Sequence, residues 1–414
     1  MSDIKVSVII PVYNSVPYLR QMLDSVTGQT LQEIEIICVD DGSTDDSLSV
    51  LQEYASRDSR IQVLQQKNQY AGVARNHGLQ KAMGKYVVFW DADDFFETEA
   101  LEKLYHQAEK DEAELVVCGA NRYDTKSDEI VLTNVYLVKE RLPEQRPFSR
   151  QDIGKYIFYF ATNVPWNKMY LRSFIAEHEL QFEARKKAND TYFVLMAFYY
   201  ASKITVVEEN LINYRISYDE SITASTVGEP LCAYESYVSV FERLRDMEDY
   251  FGDVEQSFTN RALSGFMTSL ANQNSFEDYQ TLYEHLVKAG FHEFGIDRHE
   301  EDYYFSPWMY EDYRKMQKMS PQDFILSKFK EKSDELKVKN SRVRKLSERR
   351  EELKARQEEL KAELRIAKKT IREQKNILES RTVRYALKLK QIVTLNGRLR
   401  KNKNTQQPPK VNEE

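Results

Sequence analysis

Short apolar runs alternate with helical patterns along the first hundred residues of the chain. Four of these runs are rich in β-branched and aromatic residues, as is typical of buried strands: Val6–Val12, 34–39, 61–64 and 86–90. Between the first two runs, apolar residues recur with the spacing of a helix, at Leu19, Met22, Leu23 and Val26. Strand and helix patterns that alternate in this way predict a parallel sheet with right-handed crossovers.

The composition is that of a globular protein with more than one domain. The chain has 414 residues, 41 % of them hydrophobic, and a formal net charge of −7. Its three cysteines are isolated in apolar surroundings, which predicts core residues in a reducing compartment rather than ligands or disulfides: Cys38, Cys118 and Cys232. The sequence contains no run of 18 apolar residues, and its first residues lead directly into a strand pattern. We therefore expect a cytoplasmic protein without a signal peptide.

Each predicted strand is followed by a polar residue suited to one part of a nucleotide. Tyr13 offers a flat ring for a base, and Asp41 offers an acceptor for a base N–H group. Arg75 offers a planar donor for phosphate oxygens. Taken alone, each has an alternative role, as a rim aromatic, a turn residue and a surface charge respectively. Because parallel strands end at one edge of a sheet, we expect these side chains to lie together.

Three carboxylates follow the fourth strand within four positions: Asp91, Asp93 and Asp94. Like charges at this spacing repel one another, so a cation or a hydrogen-bond donor between them would stabilise the cluster. Hard oxygen ligands at the end of a strand suit Mg²⁺ or Mn²⁺, which typically bridges to a substrate diphosphate. The alternative is an acidic helix N-terminus, in which these residues act as caps.

Four motifs stand in order along the first hundred residues: Val8-Ile9-Ile10-Pro11-Val12-Tyr13-Asn14, Val39-Asp40-Asp41-Gly42-Ser43-Thr44-Asp45, Ala74-Arg75-Asn76-His77-Gly78 and Asp91-Ala92-Asp93-Asp94. By these motifs the chain resembles the family 2 glycosyltransferases with the GT-A fold, closely over residues 4–100 and more weakly to about residue 225. The resemblance implies an α/β fold with a mostly parallel sheet flanked by helices. It also implies an inverting transferase that uses a nucleotide-activated sugar, usually a UDP-sugar, with Mn²⁺ or Mg²⁺.

The resemblance assigns the nucleotide to five residues. Pro11, Tyr13 and Asp41 would hold the uridine, and Asn68 and Arg75 would lie near the nucleotide and the diphosphate. The family often has a glycine soon after this asparagine, whereas this chain has none in the next three positions. That departure leaves the role of Asn68 the least supported of the five.

The same resemblance divides the acidic motif between sugar and metal. Asp91 and the adjacent Ala92 would face the nucleotide and the sugar. Asp93 would be the direct ligand of Mn²⁺ or Mg²⁺, with Asp91 as its neighbour in the metal site.

A later motif, Val164-Pro165-Trp166-Asn167-Lys168, extends the resemblance to a segment beneath the acceptor site. An indole beside polar groups can form a platform for a sugar ring, so we expect Trp166 and Lys168 near the sugar. The alternative is that Trp166 belongs to the core and Lys168 is a surface charge.

The catalytic base is predicted at the start of an apolar helix pattern. The family usually has Glu-Asp there, with the aspartate as the base, whereas this chain has Asn189-Asp190. The base is therefore retained while the charge beside it is missing; the alternative is that Asp190 only caps the helix. Tyr214-Arg215-Ile216, with Ser221, resembles the closing motif of the catalytic domain. Arg215 would reach phosphate or brace the loop that holds the base.

The chain is expected to contain four parts. These are a catalytic domain at 1–224 (nucleotide-sugar half 1–100, acceptor half 101–224), a helical appendage at 225–325, a coiled coil at 326–380 and a basic tail at 381–414. The appendage is aromatic-rich and offers no catalytic motif. The tail alternates basic and apolar residues, which predicts peripheral contact with an anionic membrane on the inner face of the plasma membrane. Its alternative is a solvated or disordered tail, and disorder is expected from residue 406.

A heptad pattern fits residues 329–378 and predicts a coiled coil, and hence a homo-oligomer. Its a positions include Phe329, Leu336, Val343, Leu364, Ile371 and Leu378, and its d positions include Leu346, Leu353, Leu360 and Ala367. Two polar a residues, Arg350 and Gln357, weaken the seam and would fix its register. The alternative is a lone charged helix that packs back on the globular part.

The sequence thus predicts a metal-dependent inverting glycosyltransferase, hexosyl or N-acetylhexosaminyl. It would move a sugar from a UDP-sugar to a hydroxyl of a cell-surface glycan or lipid-linked acceptor, with Asp190 as the base; no nucleic-acid partner is expected. A sugar nucleotidyltransferase is the first alternative, disfavoured because the residues after the first strand contain no glycine-rich loop. A non-catalytic scaffold for glycan assembly is the second, disfavoured by the retained acids.

Overall fold

The computed structural model describes residues 4–216, 228–247 and 252–403, with side chains described up to residue 396. Within these ranges the strands are β1 (Val6–Val12), β2 (Ile34–Asp40), β3 (Ile61–Gln65), β4 (Tyr86–Phe89), β5 (Phe95–Phe96), β6 (Leu115–Asp124), β7 (Glu129–Val131), β8 (Lys168–Leu171) and β9 (Ile204–Ile216). Ser221 of the predicted closing motif and the tail beyond residue 403 lie outside the described residues.

The α-helices follow in chain order. They are α1 (Val16–Thr27), α2 (Ser47–Arg57), α3 (Tyr70–Leu79), α4 (Ala100–Asp111), α5 (Arg150–Ile153), α6 (Arg172–Glu177), α7 (Thr191–Tyr200), α8 (Cys232–Arg245), α9 (Glu255–Ala271), α10 (Phe276–His285), α11 (Phe291–Glu293), α12 (Pro307–Met316), α13 (Pro321–Glu379) and α14 (Arg381–Lys403). Short 3₁₀ turns lie at Lys139–Arg141, Gly154–Tyr156, Gly252–Val254, Ile296–Arg298 and Glu301–Tyr303, and a π-helical turn lies at Leu286–Gly290.

The strands form one sheet with the order β3-β2-β1-β4-β8-β6-β9-β5, and β7 pairs with the end of β6. The first four strands are mutually parallel, as the alternating pattern predicted. β8 runs antiparallel between β4 and β6, while β6 and β9 are parallel to each other. Because β6 is thereby parallel to β4, the polar second halves of β6 and β9 extend past the carboxyl end of β4.

The polar segment 121–150, which contains Pro143 and Pro147, has the composition of loops, yet both of its ends belong to regular elements. β6 continues to Asp124 and forms a hairpin with β7, while α5 begins at Arg150. The sequence here is polar, but its backbone groups pair with β9, which runs for 13 residues and bulges opposite Gly119. A strand that leaves the core needs no apolar run, so its pattern resembles that of a loop.

Alternate residues of the central strands face opposite sides of the sheet, and each side is buried under helices. Ile9, Ile37 and Phe89 join a core with residues of α3, α7, α8 and α9. Val8, Ile36 and their neighbours join a second core with residues of α1, α2 and α4. The three cysteines are free and buried, as expected.

The chain divides into two compact units, Met1–Phe324 and Ile325–Glu414. In the first unit, helices α8–α12 contribute aromatic side chains to the same core as α7. In the second unit, α13 continues to Glu379, and α14 follows after Ser380. None of the described helices combines the length and the hydropathy needed to cross a membrane. The domain limits within residues 1–325 and the coiled-coil pairing stay predictions.

Candidate active site

The acidic turn after β4 brings three carboxylates together. One oxygen each from Asp91, Asp93 and Asp94 lies within 4.8 Å of the others. The turn is closed by the rings of Trp90 and Phe96, which stack at 3.7 Å with an interplanar angle of 8°. The chain segment that carries the acids is therefore held at both ends by this ring pair.

Arg215 supports this turn from β9. Its backbone N–H donates to Asp94 Oδ1 at 2.8 Å, and its Nε donates to the carbonyl oxygen of Asp93 at 2.7 Å. A third donor of Arg215, Nη2, contacts Gln21 at 2.7 Å. The expectation that Arg215 could brace the loop of the base is not what these contacts show, because the residue braces the acidic turn.

The electrostatics of the turn favour a cation. Burial, followed by the charges of Asp93 and Asp91, raises the pKa of the Asp94 carboxyl well above its usual value. Asp94 is fully buried, and within the described part of the chain its Oδ2 atom has no hydrogen-bond partner. An orphaned carboxylate oxygen beside two further acids is a donor set that fits Mg²⁺ or Mn²⁺. The sequence analysis counted Asp94 in the acidic cluster but assigned the metal to Asp93 and Asp91, so Asp94 is an additional candidate ligand.

The residues expected to hold a uridine lie on the neighbouring strand ends. Tyr13 follows β1 with 46 % of its surface exposed. Asp41 is buried after β2, where its Oδ1 accepts hydrogen bonds from Gln66 Nε2 at 2.8 Å and the Gln69 N–H at 2.9 Å. These two bonds tie the segment before α3 to the end of β2.

Two further residues expected at the nucleotide, Pro11 and Asn68, differ in exposure. Pro11 is half-buried in β1 opposite Val39 of β2. Asn68 is exposed in the segment before α3, and its backbone nitrogen approaches Gly42. Gly42 has a φ of +75°, and a Cβ there would lie 2.9 Å from that nitrogen, so this turn requires glycine. Ala92, in the acidic turn, is buried.

Arg75 connects the acidic turn to the segment of the predicted base. The side chain is buried; its Nη2 lies 2.6 Å from Asp91 Oδ1, and its Nη1 donates to Asn189 Oδ1 at 2.9 Å. The guanidinium also lies over the ring of Phe182, 5.3 Å from its centroid. Arg75 is therefore a fixed bridge between two chain segments in this structure.

Helix α3 holds the loop of the base, residues 183–190, by two further contacts. Asn76 Nδ2 donates to the Phe182 carbonyl oxygen at 2.8 Å, and the Phe182 N–H donates back to Asn76 Oδ1 at 2.9 Å. Gly72 lies against the loop so closely that a Cβ on it would be 2.3 Å from the carbonyl oxygen of Glu183. Only glycine permits this approach.

Asp190 lies at the start of α7, half-buried, and its side chain makes no capping hydrogen bond to that helix. Burial raises the pKa of its carboxyl to about 6, against the opposing charge of Arg75. A carboxyl group with a pKa near 6 is suited to accept a proton at neutral pH. The capping alternative lacks the hydrogen bond that defines it.

The family of this chain follows from its relatives. The model of glycosyl transferase family 2 matches residues 7–178. EpsH of Bacillus subtilis (strain 168) is 31 % identical over 251 residues, which cover 59 % of this chain and 71 % of EpsH. Glycosyltransferase GlyG of Streptococcus pneumoniae serotype 4 is 32 % identical over 219 residues, which cover 52 % of this chain and 71 % of GlyG. The chain belongs to glycosyl transferase family 2.

A solved structure supports the fold of this family 2 glycosyltransferase. The crystal structure of S. aureus TarS 1–349 in complex with UDP-GlcNAc matches with a TM-score of 0.55. The match covers 76 % of this chain and 92 % of that chain, at 20 % sequence identity. At this identity the likeness shows the fold alone, which agrees with the predicted GT-A class.

The two residues predicted near the acceptor sugar are more deeply buried than a sugar platform would be. Trp166 is 3 % exposed and stacks on Tyr214, with centroids 5.3 Å apart. Lys168 is also buried and donates to the carbonyl oxygens of Thr162 and Val164 and to Asn167 Oδ1, at 2.6–2.8 Å. Burial lowers the pKa of Lys168 to about 7. Lys168 is therefore not the surface charge of the alternative, and its contacts shape the loop before β8.

The appendage of the transferase, in which the sequence offered no catalytic motif, contacts the loop of the base. Ser236 of α8 donates to Glu183 Oε2 and to the carbonyl oxygen of Ala188. Ser239 donates to Glu183 Oε1 at 2.7 Å. Ala188, two residues before Asp190, has a φ of +52°, which a non-glycine residue adopts only when its surroundings hold it. These serines carried no sequence signal, because serine at a buried helix position is compatible with many roles.

Proposed function

We propose that this glycosyltransferase moves a sugar from a UDP-sugar to an acceptor hydroxyl with inversion, and that Asp190 is the base. The observation that carries the proposal is the bridge formed by Arg75, which binds Asp91 of the acidic turn and Asn189 beside Asp190. A cluster suited to a diphosphate and its cation, and a carboxyl group suited to proton removal, thereby belong to one site.

The donor is proposed to lie along the ends of β1, β2 and β4. The exposed ring of Tyr13 supports stacking on the uracil, and Pro11 and Asn68 border that position. Asp41 supports recognition of a base N–H, with one oxygen already committed to Gln66 and Gln69. The TarS structure contains UDP-GlcNAc, which supports a uridine donor here without naming the sugar.

Asp93 is proposed as the direct ligand of Mn²⁺ or Mg²⁺, with Asp91 and Asp94 beside it. The bound ion would neutralise charge on the diphosphate as it leaves. Asp91 and Ala92 would face the nucleotide and the sugar. Arg75 would keep Asp91 in place and add a positive charge near the diphosphate, which favours the developing negative charge.

Asp190 is proposed to take the proton of the acceptor hydroxyl as that oxygen attacks the anomeric carbon. The bond to the diphosphate breaks on the opposite face of the sugar, so the configuration inverts. Holding both reactants in line contributes further to the rate. Trp166, Lys168 and Arg215 would then act by shaping the acceptor side and the acidic turn, since their polar atoms or ring faces are engaged within the protein.

The acceptor is proposed to be a cell-surface glycan or a lipid-linked precursor of one, reached from the cytoplasmic face of the membrane. The family and its relatives support the reaction class, and the sugar and linkage stay open to experiment. The decisive test is a panel of UDP-sugars assayed for donor hydrolysis and transfer with Mn²⁺ or Mg²⁺. Hydrolysis of one donor by the native chain and none by Asp190→Asn is expected. A chain that hydrolyses none of them while still binding a glycan-assembly protein would favour the scaffold.

Membrane contact is proposed for the tail from residue 381. Helix α14 carries the basic residues Arg381, Arg384, Lys388 and Lys390 with exposed Leu387 and Leu389 between them. Each basic residue near an anionic surface contributes about 1 kcal/mol of attraction. Truncation after Ser380 is expected to release the protein from phosphatidylglycerol vesicles and to leave transfer to a soluble acceptor intact. Equal sedimentation of both proteins with the vesicles would exclude the tail as the anchor.

A further inference from the structure

An apolar seam runs along α13 between Val343 and Leu378. Its apolar a and d residues are 49–63 % exposed, although each is of a type usually buried: Val343, Leu346, Leu353, Leu360, Leu364, Ile371 and Leu378. They occupy a and d positions over five heptads, with Arg350, Gln357 and Gln374 as the polar members of the same series, so they form one stripe along the helix. A stripe of this length on a stable helix requires a partner surface.

The width of the seam favours a helix as that partner. Most exposed apolar residues of this segment lie at a and d, and only Ile366 and Ile377 lie at other positions. So narrow a stripe is the pattern of a coiled-coil seam, whereas a helix that lies in a membrane has a broader apolar face. The seam is also interrupted by Arg350 and Gln357, which an opposing helix can pair and a lipid interior cannot.

The charges beside the seam are largely of one sign. The e positions are Lys354, Lys361, Lys368 and Lys375, and the g positions begin with Arg349 and Arg356 before Glu363. The acids of this region lie mainly on the outer face, at Glu351, Glu352, Glu358 and Glu359. Residues at e and g set partner choice in coiled coils, so these basic flanks are the part of the helix that selects its partner.

A second copy of the chain fits these flanks poorly. In a parallel, in-register pair, Arg349 would meet Lys354 of the other helix and Arg356 would meet Lys361, while Arg350 would meet its own equivalent inside the seam. Only Glu363 with Lys368 would be attractive. An antiparallel pair sets e positions against e positions, and each e position from Lys354 to Lys375 is a lysine.

Pairs within the helix do not remove this problem. Lys354 lies 2.8 Å from Glu351 and Lys361 lies 2.7 Å from Glu358, each three residues away. Exposed pairs at this spacing contribute only about 0.2–0.5 kcal/mol, so the lysines are free to turn towards a better partner.

We propose that residues 343–378 bind a helix of another protein, with acidic residues at its e and g positions and an acid opposite Arg350. The resulting heteromeric coiled coil would bury the exposed leucines and pair the basic flanks. The chain itself would be monomeric through this segment, in place of the homo-oligomer that the heptad pattern alone predicted.

The test uses two synthetic heptad peptides of equal length with leucine at a and d, one with glutamate and one with lysine at e and g. Each is labelled and titrated with the full chain by fluorescence anisotropy. The acidic peptide is expected to bind at least tenfold more tightly than the basic one. The chain alone is expected to sediment as a monomer at micromolar concentration.

Two triple variants separate the flanks from overall charge. The flank variant combines Lys354→Glu, Lys361→Glu and Lys368→Glu, and it is expected to reverse the peptide preference. The control variant combines Lys345→Glu, Arg365→Glu and Lys369→Glu, which make the same change of charge on the outer face. It is expected to leave the preference unchanged. Circular dichroism confirms that the helix is retained in both.

Three results would overturn the proposal. The first is equal affinity for the two peptides. The second is a dimer of the chain alone that dissociates in Leu353→Asp. The third concerns the chain truncated after Ser380. If phosphatidylglycerol vesicles bind this truncated chain and Leu353→Asp abolishes that binding, the seam contacts a lipid surface.

Discussion

Arg75 donates a hydrogen bond of 2.9 Å to Asn189, a residue 114 positions away that immediately precedes Asp190. The other arm of the same guanidinium lies 2.6 Å from Asp91. A rigid, planar cation thus fixes the distance between the acidic turn and the proposed base. Its charge also opposes the effect of burial on the Asp190 carboxyl.

Replacing the proposed base separates binding from chemistry. Asp190→Asn is expected to reduce transfer at least about 10²-fold, because the hydroxyl loses its proton acceptor. Donor affinity, measured by calorimetry with UDP, is expected to stay within about twofold, since the amide keeps the shape of the carboxylate. Asp302→Asn, an exposed aspartate of the appendage, is the matched control. Near-normal turnover in Asp190→Asn would end the assignment.

The pH profile of transfer should report the same carboxyl group. With a pKa of about 6, Asp190 is ionised above that pH, so kcat/KM is expected to fall about tenfold per pH unit below it. In Arg75→Gln the charge that lowers this pKa is absent, and the midpoint is expected to move to higher pH. If the chemical step limits the native profile, an unchanged midpoint in Arg75→Gln would contradict the role of Arg75 in lowering the pKa of Asp190.

The same carboxyl group should lower the stability of the protein above pH 6. Its pKa is raised from 3.8 to about 6 on folding, so the native state binds the proton more tightly than the unfolded state. The resulting penalty is complete above pH 6 and disappears as the pH falls below about 4. Asp190→Asn is therefore expected to raise the Tm at pH 8 and to leave it unchanged at pH 4. Thermal unfolding followed by circular dichroism at both pH values measures this, and a lower Tm at pH 8 would refute it.

Loss of one acid from the turn should be visible in cation binding without any substrate. Asp93→Asn is expected to weaken Mn²⁺ binding by an order of magnitude or more, because the proposed direct ligand loses its charge. Asp94→Asn should weaken it as well, through the orphaned Oδ2 atom. Calorimetry with MnCl₂ alone is the measurement, and Asp111→Asn, outside the turn, is the control. If both variants bind Mn²⁺ with unchanged affinity, the cation site does not lie in the acidic turn.

Helix α8 should influence catalysis through the loop of the base. Ser236→Ala removes the hydrogen bonds to Glu183 and to the Ala188 carbonyl oxygen, so the loop is expected to lose its fixed conformation. A fall of about tenfold in kcat is expected with little change in donor KM, and Ser236→Thr is expected to restore part of it. Thr268→Ala, on the exposed side of α9, is the control. A uniform loss of stability without the kcat effect would show that Ser236 only packs.

The sequence located the strands of the nucleotide half to within one residue. In β1, β2 and β4 the apolar runs are buried on both faces, which leaves an unambiguous pattern, whereas β3 is partly exposed. It also located the acidic turn, since three acids after a strand are conspicuous. The bridge from Arg75 to Asn189 could not be predicted, because it joins residues that only the folded sheet brings together. The burial of Lys168 could not be predicted for a related reason. A lysine is buried only where its ammonium finds acceptors, and two of its three acceptors are backbone carbonyl oxygens that the sequence does not display.

The stacked rings of Trp90 and Phe96 have a consequence for how the acidic turn acquires a cation. They join the two ends of the acidic turn, and the folded chain by itself holds one oxygen of each of the three carboxylates within 4.8 Å of the others. A cation bound there as proposed would relieve the repulsion among the carboxylates. Its binding would cost little conformational entropy, because the chain that carries the carboxylates is already ordered.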